Sequence, residues 1–101
     1  MATDDFYEQQ GRMDGSMCRF ASEDRMNFLQ KLKSKNIMNI EMESVVFAGM
    51  CREANVHFAV ICVGLLNRLE GDQVVLTEED YATFTKNLFQ LVGNFIKSKL
   101  T

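Results

Sequence analysis

Between Val56 and Leu66 the chain runs for eleven residues in which His57 is the only strongly polar side chain. The run is rich in β-branched residues and lacks polar alternation. Such a segment fits a strand buried on both faces, the habit of parallel sheets whose crossover helices lie above and below. Just before it, Ser44–Ala54 is apolar at Val45, Val46, Phe47, Ala48, Met50, Cys51 and Ala54. A helix with so little polar surface must also be covered. A chain of 101 residues is one domain at most, and one of this size buries only a little over ~60% of its unfolded surface. The two adjacent segments want more enclosing surface than the rest of the chain supplies. On these grounds it reads as part of something larger.

The flanking segments complete an alternating order. Met1–Tyr7 is short and acidic, and the chain then turns through Gly11 and Gly15. Ser22 is read as the N-cap of a helix with Glu23 and Asp24 in its first turn and Met26, Leu29 and Leu32 along one face. Lys31, Lys33 and Lys35 suit its C-terminal end, and Asn36 suits the left-handed closing position. Ile37–Met42 alternates as a short strand would. Asn67–Leu76 reads as a loop, after which Thr77 caps a last helix with Glu78, Glu79 and Asp80 in its first turn. The stripe of that helix is Tyr81, Phe84, Leu88, Leu91, Val92 and Phe95. The expected architecture is α/β, a parallel-type mixed sheet with flanking helices in the order β-α-β-α-β-α. Three strands leave both outer edges open for pairing.

Composition narrows the functional classes. Eleven Lys+Arg against fourteen Asp+Glu give a net charge of -3, which argues against nucleic acid, whose phosphates require a basic face. No run reaches the ~18–20 apolar residues of a membrane span, and the acidic start is unlike a signal peptide. Cys18, Cys51 and Cys62 are an odd number without C-x-x-C spacing, expected as buried thiols in a reducing, cytosolic setting. Neither a phosphate loop, a dinucleotide fingerprint, a nucleophile elbow nor a zinc-helix motif occurs. A lone His57 inside an apolar run is expected to be a strand-end or core residue, without a catalytic partner.

Two segments carry more chemistry. Gln10-Gly11-Arg12 sets an amide and a guanidinium on either side of a glycine, a combination able to donate and accept in one plane, as a flat heterocycle with alternating carbonyl and N–H groups requires. In isolation it reads equally as a solvated turn. Glu41-Met42-Glu43-Ser44 places two carboxylates where a strand feeds a helix, an address suited to binding hydroxyls. Dipole complementation at a helix start explains the same glutamates, and spacing alone leaves both readings open.

Taken in order, Asp5-Phe6-Tyr7-Glu8-Gln9-Gln10-Gly11-Arg12-Met13-Asp14-Gly15, Asn39–Ser44 and Leu65-Leu66-Asn67-Arg68-Leu69-Glu70-Gly71-Asp72-Gln73 resemble the C-terminal part of animal uridine phosphorylases, within the wider nucleoside phosphorylase family. The resemblance covers essentially all 101 residues, so that residues 1–101 are expected to be one C-terminal segment of a nucleoside phosphorylase domain. It implies that Gln10 and Arg12 bind the carbonyls and N3 of uracil and support it as leaving group. Phe6 would pack against the nucleoside, Leu65 and Leu66 would line the uracil pocket, and Arg68 would stand near the base. Glu41, Met42 and Glu43 would form the ribose side, with Met42 against the sugar and Glu43 on its hydroxyls.

The implied reaction is phosphorolysis of uridine to uracil and ribose 1-phosphate, as in pyrimidine nucleoside salvage. Inorganic phosphate is the co-substrate, and no metal or organic cofactor is required. Family members carry a larger N-terminal portion that supplies the phosphate site, and a histidine crosses a dimer interface. That portion is expected upstream of these residues, in a homodimer or larger oligomer. The alternative is a non-catalytic short form that binds uridine weakly or pairs with full-length subunits.

Overall fold

The computed structural model describes residues 1–100. A short 3-10 turn at Glu8–Gln10 precedes three helices, α1 (Ser22–Ser34), α2 (Ser44–Glu53) and α3 (Glu78–Leu100). The expected helices are therefore all present and close to their expected ends. Local chemistry accounts for those ends. At α1 the cap lies one residue earlier than Ser22, at Ala21, whose N–H donates to Asp24 Oδ2 at 2.9 Å. Asn36 closes the helix with φ 56°, the left-handed conformation that asparagine tolerates. Thr77 and Asp80 cap α3 reciprocally: Thr77 Oγ1 accepts from Asp80 N at 3.1 Å and Thr77 N donates to Asp80 Oδ2 at 3.0 Å. The two hydrogen bonds to Thr77 hold the Asp80 carboxyl below its ordinary pKa.

The expected sheet is absent among the described residues. Neither Ile37–Met42 nor Val56–Leu66 forms a strand; the sole trace of pairing is one parallel bridge between Ala2 and Glu41. It is framed by Thr3 N donating to Glu41 O at 2.9 Å and Glu41 N to Met1 O at 3.0 Å. The physical reason lies in the partners. A strand needs a second backbone ~4.8 Å away, and residues 57–66 make no backbone hydrogen bond with any described residue. Apolar patterning reports that a segment wants to be covered; it does not report that the covering backbone belongs to the same hundred residues.

Coverage is correspondingly poor. The buried apolar residues are Leu29 and Leu32 of α1, whereas Val45, Val46, Phe47 and Met50 of α2 and Val56, Phe58, Val60 and Ile61 of the run are exposed. Phe47 meets Phe58 edge to face at 6.1 Å between centroids. On α3, Phe84, Leu88 and Val92 are half-buried, while Tyr81, Leu91 and Phe95 of the expected stripe are exposed. The three helices do not pack on one another, and the radius of gyration is 16.5 Å, against about 13 Å for a compact chain of this length. His57 is exposed, not a core residue, Cys62 is exposed, and Cys18 and Cys51 are half-buried free thiols. No helix among the described residues is long and apolar enough to cross a membrane.

Candidate functional site

Beyond Leu29 and Leu32, the side chains that the fold buries are polar. Thr3, Gln10, Arg12 and Arg25 are each less than 9% exposed, and they belong to one connected group that also includes Arg68 and Asp72. The Q-G-R turn is shaped locally. Asp5 caps the 3-10 turn, its Oδ1 accepting from Tyr7 N at 2.6 Å and its Oδ2 from Gln9 N at 3.1 Å. Gly11 then takes φ 67°, ψ 28°, and Arg12 N returns to Tyr7 O at 2.9 Å. A Cβ at Gly11 would lie 2.7 Å from Phe28 Cδ1, so the turn is seated on the side of α1. The glycine serves both a left-handed backbone and a close approach.

This turn aims Gln10 and Arg12 inward. Gln10 Nε2 donates to Thr3 Oγ1 at 3.0 Å, and Arg12 Nε points at Gln10 Oε1 at 3.5 Å. Arg12 Nη1 donates to the main-chain carbonyl of Asp72, and its guanidinium carbon lies 4.1 Å from the Phe6 ring centroid, a cation–π distance. Phe6 in turn meets Tyr7 edge to face at 5.3 Å. From the loop after the apolar run, Arg68 Nη2 donates to Gln10 O at 2.8 Å and Arg68 Nε to Asp72 Oδ1 at 2.9 Å. Arg68 Nη1 is the one buried side-chain nitrogen among the described residues that has no hydrogen-bond partner.

Three guanidiniums thus converge on Asp72, two of them on its carboxylate, because Arg25 grips that carboxylate as well, through Nε at 3.1 and 3.0 Å and through Nη2 at 2.7 Å. Burial, and next the Arg68 cation, lowers the Arg12 pKa against the pull of Asp72 and Asp14. Burial raises the Asp72 pKa, but hydrogen bonds from Arg25 and Arg68 outweigh it and hold the carboxyl below its ordinary value. The cluster remains cationic and part-buried, a setting suited to receiving negative charge.

The second expected segment is attached to the first through Thr3, whose side chain accepts from Gln10 and whose N–H donates to Glu41 O. Glu41 is committed to capping α2: its Oε2 accepts from Glu43 N at 2.8 Å and Ser44 N at 2.7 Å, and its Oε1 from the Ser44 hydroxyl. Those Ser44 hydrogen bonds hold the Glu41 carboxyl below its ordinary value. Glu43 is exposed, and its carboxylate accepts only from the neighbouring Met42 N, at 3.1 Å. Met42, Leu65 and Leu66 are half-buried.

Of the expected residues, Phe6, Gln10, Arg12 and Arg68 are brought into one connected group and Glu41 is linked to it through Thr3; Glu43 N donates to Glu41, while Met42, Leu65 and Leu66 adjoin along the chain without a hydrogen bond into the group. Thr3, Arg25 and Asp72 were not foreseen. Two signals for them exist in the sequence: Arg68 and Asp72 are an i, i+4 charge pair, and Arg25 stands in register with Leu29 and Leu32.

A family model described as the phosphorylase superfamily matches residues 1–97. Among curated proteins, uridine phosphorylase 2 of Mus musculus is 44% identical over 100 residues, which are 99% of this chain and 31% of that protein. Two solved structures are similar to this chain along nearly its whole length. A uridine phosphorylase from the oomycete Phytophthora capsici is 46% identical with a TM-score of 0.86, covering 98% of this chain and 34% of that one. The uridine phosphorylase of Schistosoma mansoni in complex with uracil is 39% identical with a TM-score of 0.85, covering 96% and 34%. The chain spans about a third of the length of the curated relatives it matches.

Proposed function

The chain belongs to the phosphorylase superfamily, and from that premise we propose that it is the C-terminal, base- and ribose-binding third of a uridine phosphorylase. The observation that carries this reading is the joined group of buried Gln10 and Arg12 with part-buried Arg68, which keeps an unspent donor at Nη1. A planar pyrimidine with two carbonyls and one N–H can meet the amide of Gln10 and the guanidinium of Arg12, with Phe6 against its face and Leu65 and Leu66 at its side. Glu43, exposed and without a side-chain partner, receives the ribose hydroxyls. Met42 lies along the sugar, and Glu41 holds that corner by capping α2.

In the reaction an oxygen of monohydrogen phosphate forms a bond to C1′ as the C1′–N1 bond breaks. The bonding electron pair passes to uracil, and the proton carried by phosphate ends on the base. Uracil and ribose 1-phosphate result, without a metal or organic cofactor. The sugar is oxocarbenium-like at the top of the barrier, and charge builds on the departing base. Fixed donors from Arg12 and Gln10 stabilise that charge, while Glu43 restrains the sugar so that C1′ can travel between base and phosphate. We assign the phosphate site to the preceding part of the protein, the assembly to a homodimer or larger oligomer, and the setting to the cytosol.

A second reading, a short non-catalytic form that pairs with full-length subunits, is favoured by the exposed apolar faces of α2 and α3. One experiment separates them: phosphate-dependent uracil release from uridine by the purified 101 residues, and by the same residues joined to the upstream coding region. Silence from the first and release from the second are expected. Release by the 101 residues alone would defeat the split-site reading, and silence from both would leave the pairing form.

A further inference from the structure

Asp72 occupies an unusual place in the polar group. Its carboxylate takes Arg25 and Arg68, and its main-chain carbonyl takes Arg12. Arg25 is equally divided: its guanidinium holds the Asp72 carboxylate and also donates, through Nη2, to the main-chain carbonyl of Arg68 at 2.5 Å. Both ends of the 68–72 loop are therefore tied to one side chain of α1. Within the loop, Glu70 N and Gly71 N donate to Asn67 O at 2.9 and 3.3 Å. The side chains of Arg25 and Asp72 are 10% and 18% exposed, so neither is a loose surface partner.

We propose that Asp72, anchored by Arg25, is the positioning residue that aims Arg12 and Arg68 at the departing base. The inference rests on the reading of those two arginines as uracil-binding. Like charge alone would drive three guanidiniums apart; a single carboxylate holds two of them, and the carbonyl of the same residue sets the third. Because the fork of Arg25 engages both carboxylate oxygens, the direction of Asp72 is set as well as its place. Catalytic contact with uracil belongs to Arg12 and Arg68. Asp72 acts through them.

The test uses the complete enzyme that contains these residues, with Arg12→Ala, Asp72→Asn and the double variant, each assayed on uridine and on 5-fluorouridine. The fluorinated base is the more acidic leaving group and needs less electrophilic help. Asp72→Asn is expected to lower kcat/KM on uridine by about 10- to 100-fold, the scale of an ~1 Å misplacement, with a clearly smaller loss on 5-fluorouridine. In the Arg12→Ala background the same substitution should cost less than about threefold, because residues acting as a unit are not additive.

Equal losses on both substrates, multiplying in the double variant, would make Asp72 a fold-supporting residue and overturn the proposal. If Arg12→Ala itself leaves uracil release unchanged, the uracil-site reading falls and this inference with it. Should Asp72→Asn fail to fold, Arg25→Lys examines the same link. It keeps the charge but loses the fork, and is expected to show the same leaving-group-selective loss at smaller size; a loss equal on both substrates counts against the proposal there too.

Discussion

Replacing Gly11 by alanine tests whether the Q-G-R turn is built as the site requires. Two costs are visible. The backbone sits at φ 67°, where an L side chain costs about 1–2 kcal/mol. The new Cβ would lie 2.7 Å from Phe28 Cδ1 and 3.1 Å from Cε1, so the ring must retreat several tenths of an ångström, at about 0.5–1.5 kcal/mol if it leaves its rotamer. Alanine also stiffens the unfolded chain, which returns about 0.4–1 kcal/mol. The net expectation is a loss of about 2 kcal/mol, read as faster amide exchange at residues 10–12, whose N–H groups close the turn. Gly93→Ala is the internal comparison: Gly93 lies inside α3 with nothing within 4 Å of an added Cβ. That change should stabilise by about 0.5–1 kcal/mol. A Gly11→Ala loss below about 0.5 kcal/mol, or the same sign at both glycines, would refute the account of the turn.

Three further outcomes are expected. Asp72 has a folded-state pKa below the ordinary 3.8, so its stabilisation is present above that value and is lost as pH falls through the lower folded-state value; the stability gap between parent and Asp72→Asn should close as the pH falls below 3.8, and a gap constant in pH would contradict the pairing. The 101 residues alone, with Leu29 and Leu32 as their buried apolar residues, should bind a hydrophobic dye and melt without a sharp transition, whereas a cooperative high-temperature unfolding of the monomer would oppose this. Thr77→Ala should destabilise the first turn of α3 by about 1 kcal/mol, read as faster amide exchange at residues 78–81, and unchanged exchange would count against the cap.

The helices were legible because their signals are local. Thr77 with Asp80, Asn36 at a left-handed close, and the acidic first turns each act within four residues, and the structure places helix ends where those groups stand. The sheet was illegible for the complementary reason. β-branched, unalternating Val56–Leu66 reports a demand for cover, and a ladder is satisfied by a second backbone whose identity the segment does not encode. Here residues 1–3 pair with Glu41, and no backbone hydrogen bond from a described residue reaches residues 57–66. The same limit misplaced Cys62, expected buried, and His57, expected at a strand end or in the core; both are exposed.

The site follows a sharper logic. Gln10, Arg12, Phe6 and Arg68 are singled out by the resemblance, and what holds them together is not; yet its signature is present in the periodicity of α1. The buried face runs Arg25, Leu29, Leu32, at i, i+4 and i+7, so an arginine occupies a core position. A guanidinium there cannot be left unpaired, since removing its charge from water costs several kcal/mol. A partner carboxylate is therefore implied by the stripe itself, and Asp72, spaced i+4 from Arg68 behind a glycine, has the neighbours to supply it. Reading the stripe as Met26, Leu29 and Leu32 kept the face apolar and hid that demand. In this chain the apolar pattern marks surfaces that await cover, while the charged residue that breaks the pattern marks where the described residues hold themselves together.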